Sequence, residues 1–262
     1  LLHHKLKMQS FKGFTKINMN DLKKFKILLL NLGYCTKLDG SMKDYFTKFY
    51  RYPFLPEKIE DEVLSELKAI IKTENPDLIC LTEIKQGKQI RTLLSESYAF
   101  HDIAVKYGEN SFLRKLPPFK SKGNAVISKK KLSCKKHYLE NGTKKLLLEV
   151  ELPNRTSLFF MHFSLSKKIR AKQFQEIQQK FGKVKSKIIC GDFNVYGGLT
   201  ELSSLMEKSQ LKFTSKQATF PSFKPQKALD LFLVPNDLKF EIKVLGNKLS
   251  DHLPITMTIE TS

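Results

Sequence analysis

Apolar and polar residues along the chain switch between two periods. Phe25-Lys-Ile-Leu-Leu-Leu-Asn31 is a short, almost unbroken apolar run, the pattern of a strand covered on both faces. Ile59, Val63, Leu67, Ile70 and Ile71 then recur at helical spacing until Asn75-Pro76 stops the helix. Asp77 to Glu83 (DLICLTE) is again strand-like, so the opening third predicts strand, helix, strand. Short strands follow at Ala99–Lys106, Asn124–Ser128, Lys145–Leu152 and Leu158–Phe163, with Pro153-Asn154 turning the last two into a hairpin. A second helix is predicted to open on Ser166 as its cap, to bury Ala171, Phe174, Ile177 and Phe181, and to end at Gly182. Lys187–Cys190 reads as a strand that stops at Gly191. A short helix near Leu199–Met206 and strands at Ala228–Val234 and Ile255–Ile259 complete the pattern. Short strands with interspersed helices predict an α/β layered sandwich.

No repeat, low-complexity tract or Pro- or Gly/Ser-rich linker divides the chain. One domain over residues 25–262 is expected, with residues 1–24 as a tail or extension. With 41% hydrophobic and 27% charged residues, the composition is that of an ordinary soluble protein. No stretch reads as a signal peptide or as the roughly 20 apolar residues that span a bilayer. Cys35, Cys80, Cys134 and Cys190 have neither CxxC nor zinc-ligand spacing, which suits a reducing compartment such as the cytoplasm.

Charge changes the picture more. Forty-six Lys and Arg against 26 Asp and Glu leave a net +20. That surplus attracts polyanions, nucleic acid first and an anionic membrane surface second. The alternative is a solvated lysine-rich surface, since the lysines are spread along the chain. A monomer is expected.

The candidate chemistry sits where predicted strands end. Asn31, Glu83 and His162 close their strands, Asp192 and Asn194 follow KIICG, and Asp251-His252 precede ITMTI. Strand ends fix positions while the loops beyond them leave room for ligand. If Gly191-Asp-Phe-Asn194 stays extended, Asp192 and Asn194 face one pocket and Phe193 faces the core. The alternative is an Asx turn that occupies both side chains with backbone. Asp230 interrupts the apolar run ALDLFLV, where a carboxylate needs a partner, and His252 is the natural one. Asn31 and Glu83 offer the oxygen chemistry of a hard cation, while each also fits ordinary strand-end polarity. His162 alone fits a packed core histidine equally well.

Taken in order, the strand ending in Asn31, NPDLICLTE (Asn75–Glu83), KGNAVIS (Lys122–Ser128), the strand ending in His162, GDFN (Gly191–Asn194), LDLFLV (Leu229–Val234) and SDHLP (Ser250–Pro254) resemble the endonuclease/exonuclease/phosphatase (DNase I-like) superfamily. The resemblance runs from about Phe25 to Glu260. It implies a four-layer α/β sandwich, two packed β-sheets flanked by helices, and a metal-dependent phosphoesterase. It also implies a Mg²⁺ or Mn²⁺ site on Glu83, Asn31 and Asp251. In those terms His252 supported by Asp230 moves a proton, Asp192 orients the attacking water, and Asn194 and His162 stabilise the phosphoryl group. The chain has no Trp, unlike the inositide 5-phosphatase and abasic-site endonuclease subgroups, and the Glu that partners His162 in DNase I-type members has no evident counterpart.

The loop Leu32–Lys58 interleaves aromatic and basic residues and should overhang the site. Such a loop suits base stacking, an anionic membrane interface, or packing of its own rings on the body. Tyr34, Lys37, Arg51 and Asn124 are the candidate substrate contacts. A nuclease acting on DNA or RNA is the first reading, a sphingomyelinase-type or inositide phosphodiesterase or phosphatase the second, and a catalytically silent scaffold the third.

Overall fold

The computed structural model describes residues 24–105 and 121–260. The expected N-terminal extension lies outside them except for Lys24, as do Lys106 and most of the basic stretch Arg114–Lys122.

The first half of the chain builds one sheet. Strand β1 (Lys24–Asn31) leads through a long loop containing helix α1 (Met42–Lys48) to α2 (Glu57–Glu74), which returns the chain to β2 (Leu78–Lys85). A short helix α3 (Lys88–Leu93), β3 (Phe100–Val105) and β4 (Lys122–Ser128) follow. The second sheet is made by β5 (Ser133–Tyr138), β6 (Leu146–Glu151), β7 (Ser157–His162), α4 (Lys167–Phe181), β8 (Lys187–Asp192), α5 (Ser203–Ser209), β9 (Leu211–Phe213) and β10 (Asp230–Pro235). The chain then returns to the first sheet with β11 (Phe240–Val244) and β12 (Ile255–Glu260). The strand orders are β11-β12-β1-β2-β4-β3 and β5-β6-β7-β8-β10-β9. Each sheet has one central parallel pair, β1 with β2 and β7 with β8, joined by the crossover helices α2 and α4.

Side-chain alternation explains the layers. Ile27 and Leu29 face the second sheet, where they meet Leu148, Phe160 and Cys190, while Leu28 and Leu30 pack under α2 against Val63 and Leu67. Phe159, Met161 and Ile189 face outward from the second sheet and are covered by Phe174 and Ile177 of α4. The result is a four-layer α/β sandwich. Its apolar strand runs follow from coverage on both faces.

Several boundaries and faces differ from the sequence expectation. Helix α4 buries Arg170, Gln173, Phe174, Glu176 and Ile177, whereas Ala171 is exposed and Phe181 is only half-buried. Ser166 precedes α4 without a side-chain capping bond. Strand β2 does not end at Glu83 but runs to Lys85 across a bulge, and β8 continues through Gly191 to Asp192.

Gly191 has a physical reason to be glycine. Its φ is +142°, and a Cβ there would lie 1.7 Å from the Met161 carbonyl oxygen on the neighbouring strand β7. Replacing it strains the backbone and forces β7 away from β8 just where both deliver site residues. Gly191→Ala should cost on the order of 3 kcal/mol of stability, read by chemical denaturation; a loss below about 0.5 kcal/mol contradicts this packing.

Candidate active site

The directions of β1, β2, β7, β8 and β10 bring all the strand-end polar residues to one edge of the two sheets. Asp192 lies at the centre with 1% of its surface exposed. Its Oδ2 accepts a hydrogen bond from Asn31 Nδ2 at 3.0 Å and lies 3.1 Å from His162 Nε2 and 4.0 Å from His252 Nε2. Its Oδ1 accepts the Asn194 backbone N–H at 3.0 Å. Burial opposes ionisation, but the His162 and His252 imidazoles and Lys144 outweigh it and hold the carboxyl far below its ordinary range.

The Asx turn is therefore real, and it coexists with the site: Asp192 closes the turn through one oxygen and faces the cluster with the other. Asn194 leaves the extended conformation (φ 53°), so simple alternation does not place its side chain. Its amide donates to the Phe163 carbonyl at 2.9 Å, which ties the end of β8 to that of β7. Phe193 is fully buried against Phe163 and Phe174.

Asp230 opens β10 opposite Asp192 and lies 2.6 Å from His252 Nδ1 through Oδ2. Thr219 Oγ1 donates to the same Oδ2 at 2.6 Å, while Asp230 Oδ1 is buried without a partner. Burial alone would lower the His252 pKa, yet Asp230 and Asp192 raise it to about 10. Asp230 thus fixes His252 through Nδ1, and the two carboxylates favour the protonated imidazole.

Glu83 and Asp251 form the acidic side of the cluster. Glu83 sits at the β2 bulge with φ 52°, a left-handed conformation that turns its carboxylate out of the strand. Asp251 accepts the Tyr45 hydroxyl at 3.2 Å, and its pKa is raised to about 6 by burial and by the Glu83 charge. Tyr45, Tyr52 and Tyr196 line the same space, and burial with the nearby carboxylates pushes their hydroxyl pKa values up. Asn31 Oδ1 is turned toward Gly33, whose N–H donates to it at 3.0 Å. Two neighbouring carboxylates and an amide oxygen are the donor chemistry of a hard divalent cation. A second group, Asp192, Asp230 and His252, has ligand atoms within 4.8 Å of one another. There the His252 nitrogen facing Asp230 is already committed to it, which suits a proton-handling pair better than a metal.

The sequence reading missed Lys144. Its ammonium is buried among Glu83 Oε1, 4.0 Å away, Asp192 and Asp251, and it meets His162 Nε2. Burial lowers the Lys144 pKa, and burial together with Lys144 lowers that of His162. Glu83 Oε1 lies 3.7 Å from His162 Nδ1, longer than a hydrogen bond. A signal for Lys144 did exist. The β6–β7 hairpin pairs Leu147 with Met161, so residues just before Leu146 lie beside His162.

The expected substrate contacts are placed differently. Lys37 reaches Glu62 and Glu66 of α2 at 2.6 and 2.7 Å, and Arg51 donates to the Thr36 carbonyl at 3.1 Å. Both cations brace the loop. Tyr34 is buried beneath the Lys122 ammonium, and Asn124 is buried on β4 opposite the Glu83 bulge.

The polar face of α4 holds the Lys144 segment. Gln173 Nε2 donates to the Asn141 and Lys144 carbonyls at 3.0 and 2.7 Å, and Glu176 accepts the Glu140 N–H at 2.7 Å and Lys180 Nζ at 2.9 Å. Burial opposes the Glu176 charge, but these donors and Asn141 outweigh it and lower its pKa. A carboxyl depressed on folding stabilises above its unfolded pKa, about 4.3, and loses that contribution as pH falls through the folded value. The stability gap between wild type and Glu176→Gln should therefore be constant above about pH 5.5 and shrink in acid; a gap that widens in acid contradicts the assignment.

Comparison with known proteins bears on the family and the fold. The profile of the Endonuclease/Exonuclease/phosphatase family matches residues 60–252. No curated protein sequence matches. Among solved structures, SmcL is 17% identical with a TM-score of 0.62, over 90% of this chain and 99% of that one. Beta toxin 275-280 from Staphylococcus aureus is 16% identical with a TM-score of 0.62, over 89% and 99%. Truncated TDP2 from Caenorhabditis elegans is 16% identical with a TM-score of 0.59, over 92% and 99%. These identities speak to the fold, and the fold is DNase I-like. With the family profile spanning most of its length, the chain belongs to the Endonuclease/Exonuclease/phosphatase family.

Proposed function

We propose that the protein is a divalent-cation-dependent phosphodiester hydrolase. The observation that carries the reading is the buried Asp230–His252 pair aimed at an ionised Asp192 that Asn31 and His162 also contact. Glu83, Asp251 and Asn31 Oδ1 would hold Mg²⁺ or Mn²⁺. When bound, the ion supplies Lewis-acid stabilisation of charge on the phosphoryl oxygens.

The chain's own groups divide the remaining work. Asp192, ionised and fixed by Asn31 and the Asn194 N–H, accepts a hydrogen bond from the attacking water, sets its direction and passes on to solvent the proton that the water sheds. His252 delivers a proton from Nε2 to the departing oxygen, while Asp230 holds Nδ1–H and the ring orientation. Lys144 and His162 face the non-bridging oxygens and offset the charge that grows there. Asn194 acts indirectly, by locking the turn that carries Asp192.

Two substrate classes fit this chemistry. The +20 charge supports a nucleic-acid phosphodiester. A membrane phospholipid is favoured by a different observation: Lys37 and Arg51, the loop cations suited to gripping phosphates, have protein partners, whereas the loop's apolar side chains face solvent.

Hydrolysis should be measured on bis(p-nitrophenyl) phosphate, single-stranded DNA, plasmid, RNA and sphingomyelin vesicles with Mg²⁺ or Mn²⁺. Turnover of at least one should vanish with EDTA and fall at least about 10³-fold in Asp192→Ala. Turnover indifferent to both contradicts the reading. Lys144→Met should lower kcat by about 10²-fold and change KM little, because the ammonium acts on charge that develops in the transition state. A pure KM effect would return Lys144 to ground-state binding.

A further inference from the structure

Helix α1 and the turn after it have two unlike faces. The inner face belongs to the site: Tyr45 bonds Asp251, and Asp44 accepts the Asp39 N–H. The outer face carries Met42, Phe46 and Phe49 at i, i+4 and i+7, one line along a helical surface, extended by Tyr50 and Phe54. Their exposures are 68% for Met42, 82% for Phe46, 62% for Phe49 and 77% for Phe54. Scattered exposed hydrophobics are ordinary, but an aligned set of this size is not.

Placement sharpens the point. Of the ten large hydrophobic side chains that the described residues expose, nine lie at the end of the sandwich where the site opens. Tyr138, Leu165, Tyr196 and Phe223 come there from four other segments, and Phe100 alone lies at the opposite end. The apolar face also has a charged border. Lys43 and Lys58 are exposed beside it, whereas Lys48 is paired with Asp44 and Arg51 is turned to the Thr36 carbonyl, within a chain of net charge +20.

We propose that the α1 face, Met42–Phe54, docks the protein on an anionic phospholipid surface and delivers the site mouth to a phosphodiester carried in that surface. An amphipathic helix with aromatic residues on one side and lysines at its border is the chemistry of interfacial insertion. Anionic headgroups complement the border charge, and each Lys or Arg near such a surface strengthens its hold. Single-stranded nucleic acid fits less well. Met42 offers no stacking plane, and Arg51, a cation that would track a phosphate backbone, is turned back to the Thr36 carbonyl. The nature of the substrate rests on the hydrolase reading above, whereas docking is measured without turnover.

The test compares the full chain with a Phe46→Ser/Phe49→Ser/Phe54→Ser variant. Partition is measured onto phosphatidylcholine vesicles with and without 30% phosphatidylserine, alongside turnover of soluble bis(p-nitrophenyl) phosphate and thermal melting. The expected result is wild-type binding that is stronger with phosphatidylserine and weakened by salt. The variant should partition at least 10-fold less while its melting and soluble turnover stay unchanged. Wild type that does not bind vesicles, or a variant that binds equally well, overturns the proposal. A variant that keeps vesicle binding but loses single-stranded oligonucleotide, or that only loses self-association by light scattering, also overturns it and gives the face to that partner. Absence of soluble turnover in both proteins would instead count against the hydrolase reading and leave the partition result standing.

Discussion

The site depends on one buried charge. Asp192 is ionised at 1% exposure, and a carboxylate removed from water survives only if neighbours replace the lost hydration. Its partners come from four stretches of chain: Asn31 at the end of β1, His162 at the end of β7, the Asn194 N–H in the following turn, and His252 before β12. Only Asn194 is near Asp192 in sequence. The two sheets must therefore pack in one register for the charge to be tolerated, so the requirements of the fold and of the chemistry coincide.

That convergence is accompanied by backbone strain. Tyr34, Cys35, Lys37, Glu83 and Asn194 all adopt positive φ, and all lie in or beside the loops around the site. Residues with a Cβ occupy this region at some cost, and surrounding contacts must hold them there. For Glu83 the holding structure is the β2–β4 bulge, and for Asn194 it is the bond from its amide to Phe163. The braces from Lys37 to α2 and from Arg51 to Thr36 hold the long loop in the same sense.

The central strands were legible because burial on both faces leaves an apolar run that few other structures produce, as in Phe25–Asn31 and Lys187–Cys190. The crossover helix α2 was legible from its period and from Asn75, which ends it in a left-handed conformation. Edge elements were not. β5 reads SCKKHY and is largely exposed, β9 has three residues, and β11 alternates at the margin of its sheet. Helix α1 was hidden because its apolar line faces solvent and so mimics an irregular aromatic loop. In α4 the expected stripe slipped because Gln173 and Glu176 are buried for hydrogen bonding, which no hydrophobic pattern records. The polar strand-end residues could be found singly, but their mutual geometry could not. Lys144 had one signal only, the β6–β7 pairing that sets it beside His162, since one lysine in a lysine-rich chain carries none of its own.

The claim on which the chemistry turns is that Glu83 and Asp251 hold a divalent cation beside Asp192. Mn²⁺ titration calorimetry on wild type, Glu83→Gln, Asp251→Asn and Asp230→Asn tests it most directly. One Mn²⁺ per wild-type chain is expected, with affinity at least about 10-fold weaker in the first two variants and a smaller change in Asp230→Asn. Binding that ignores Glu83 and Asp251 and disappears with Asp230 would contradict it, and would move the metal to the Asp192–Asp230–His252 group.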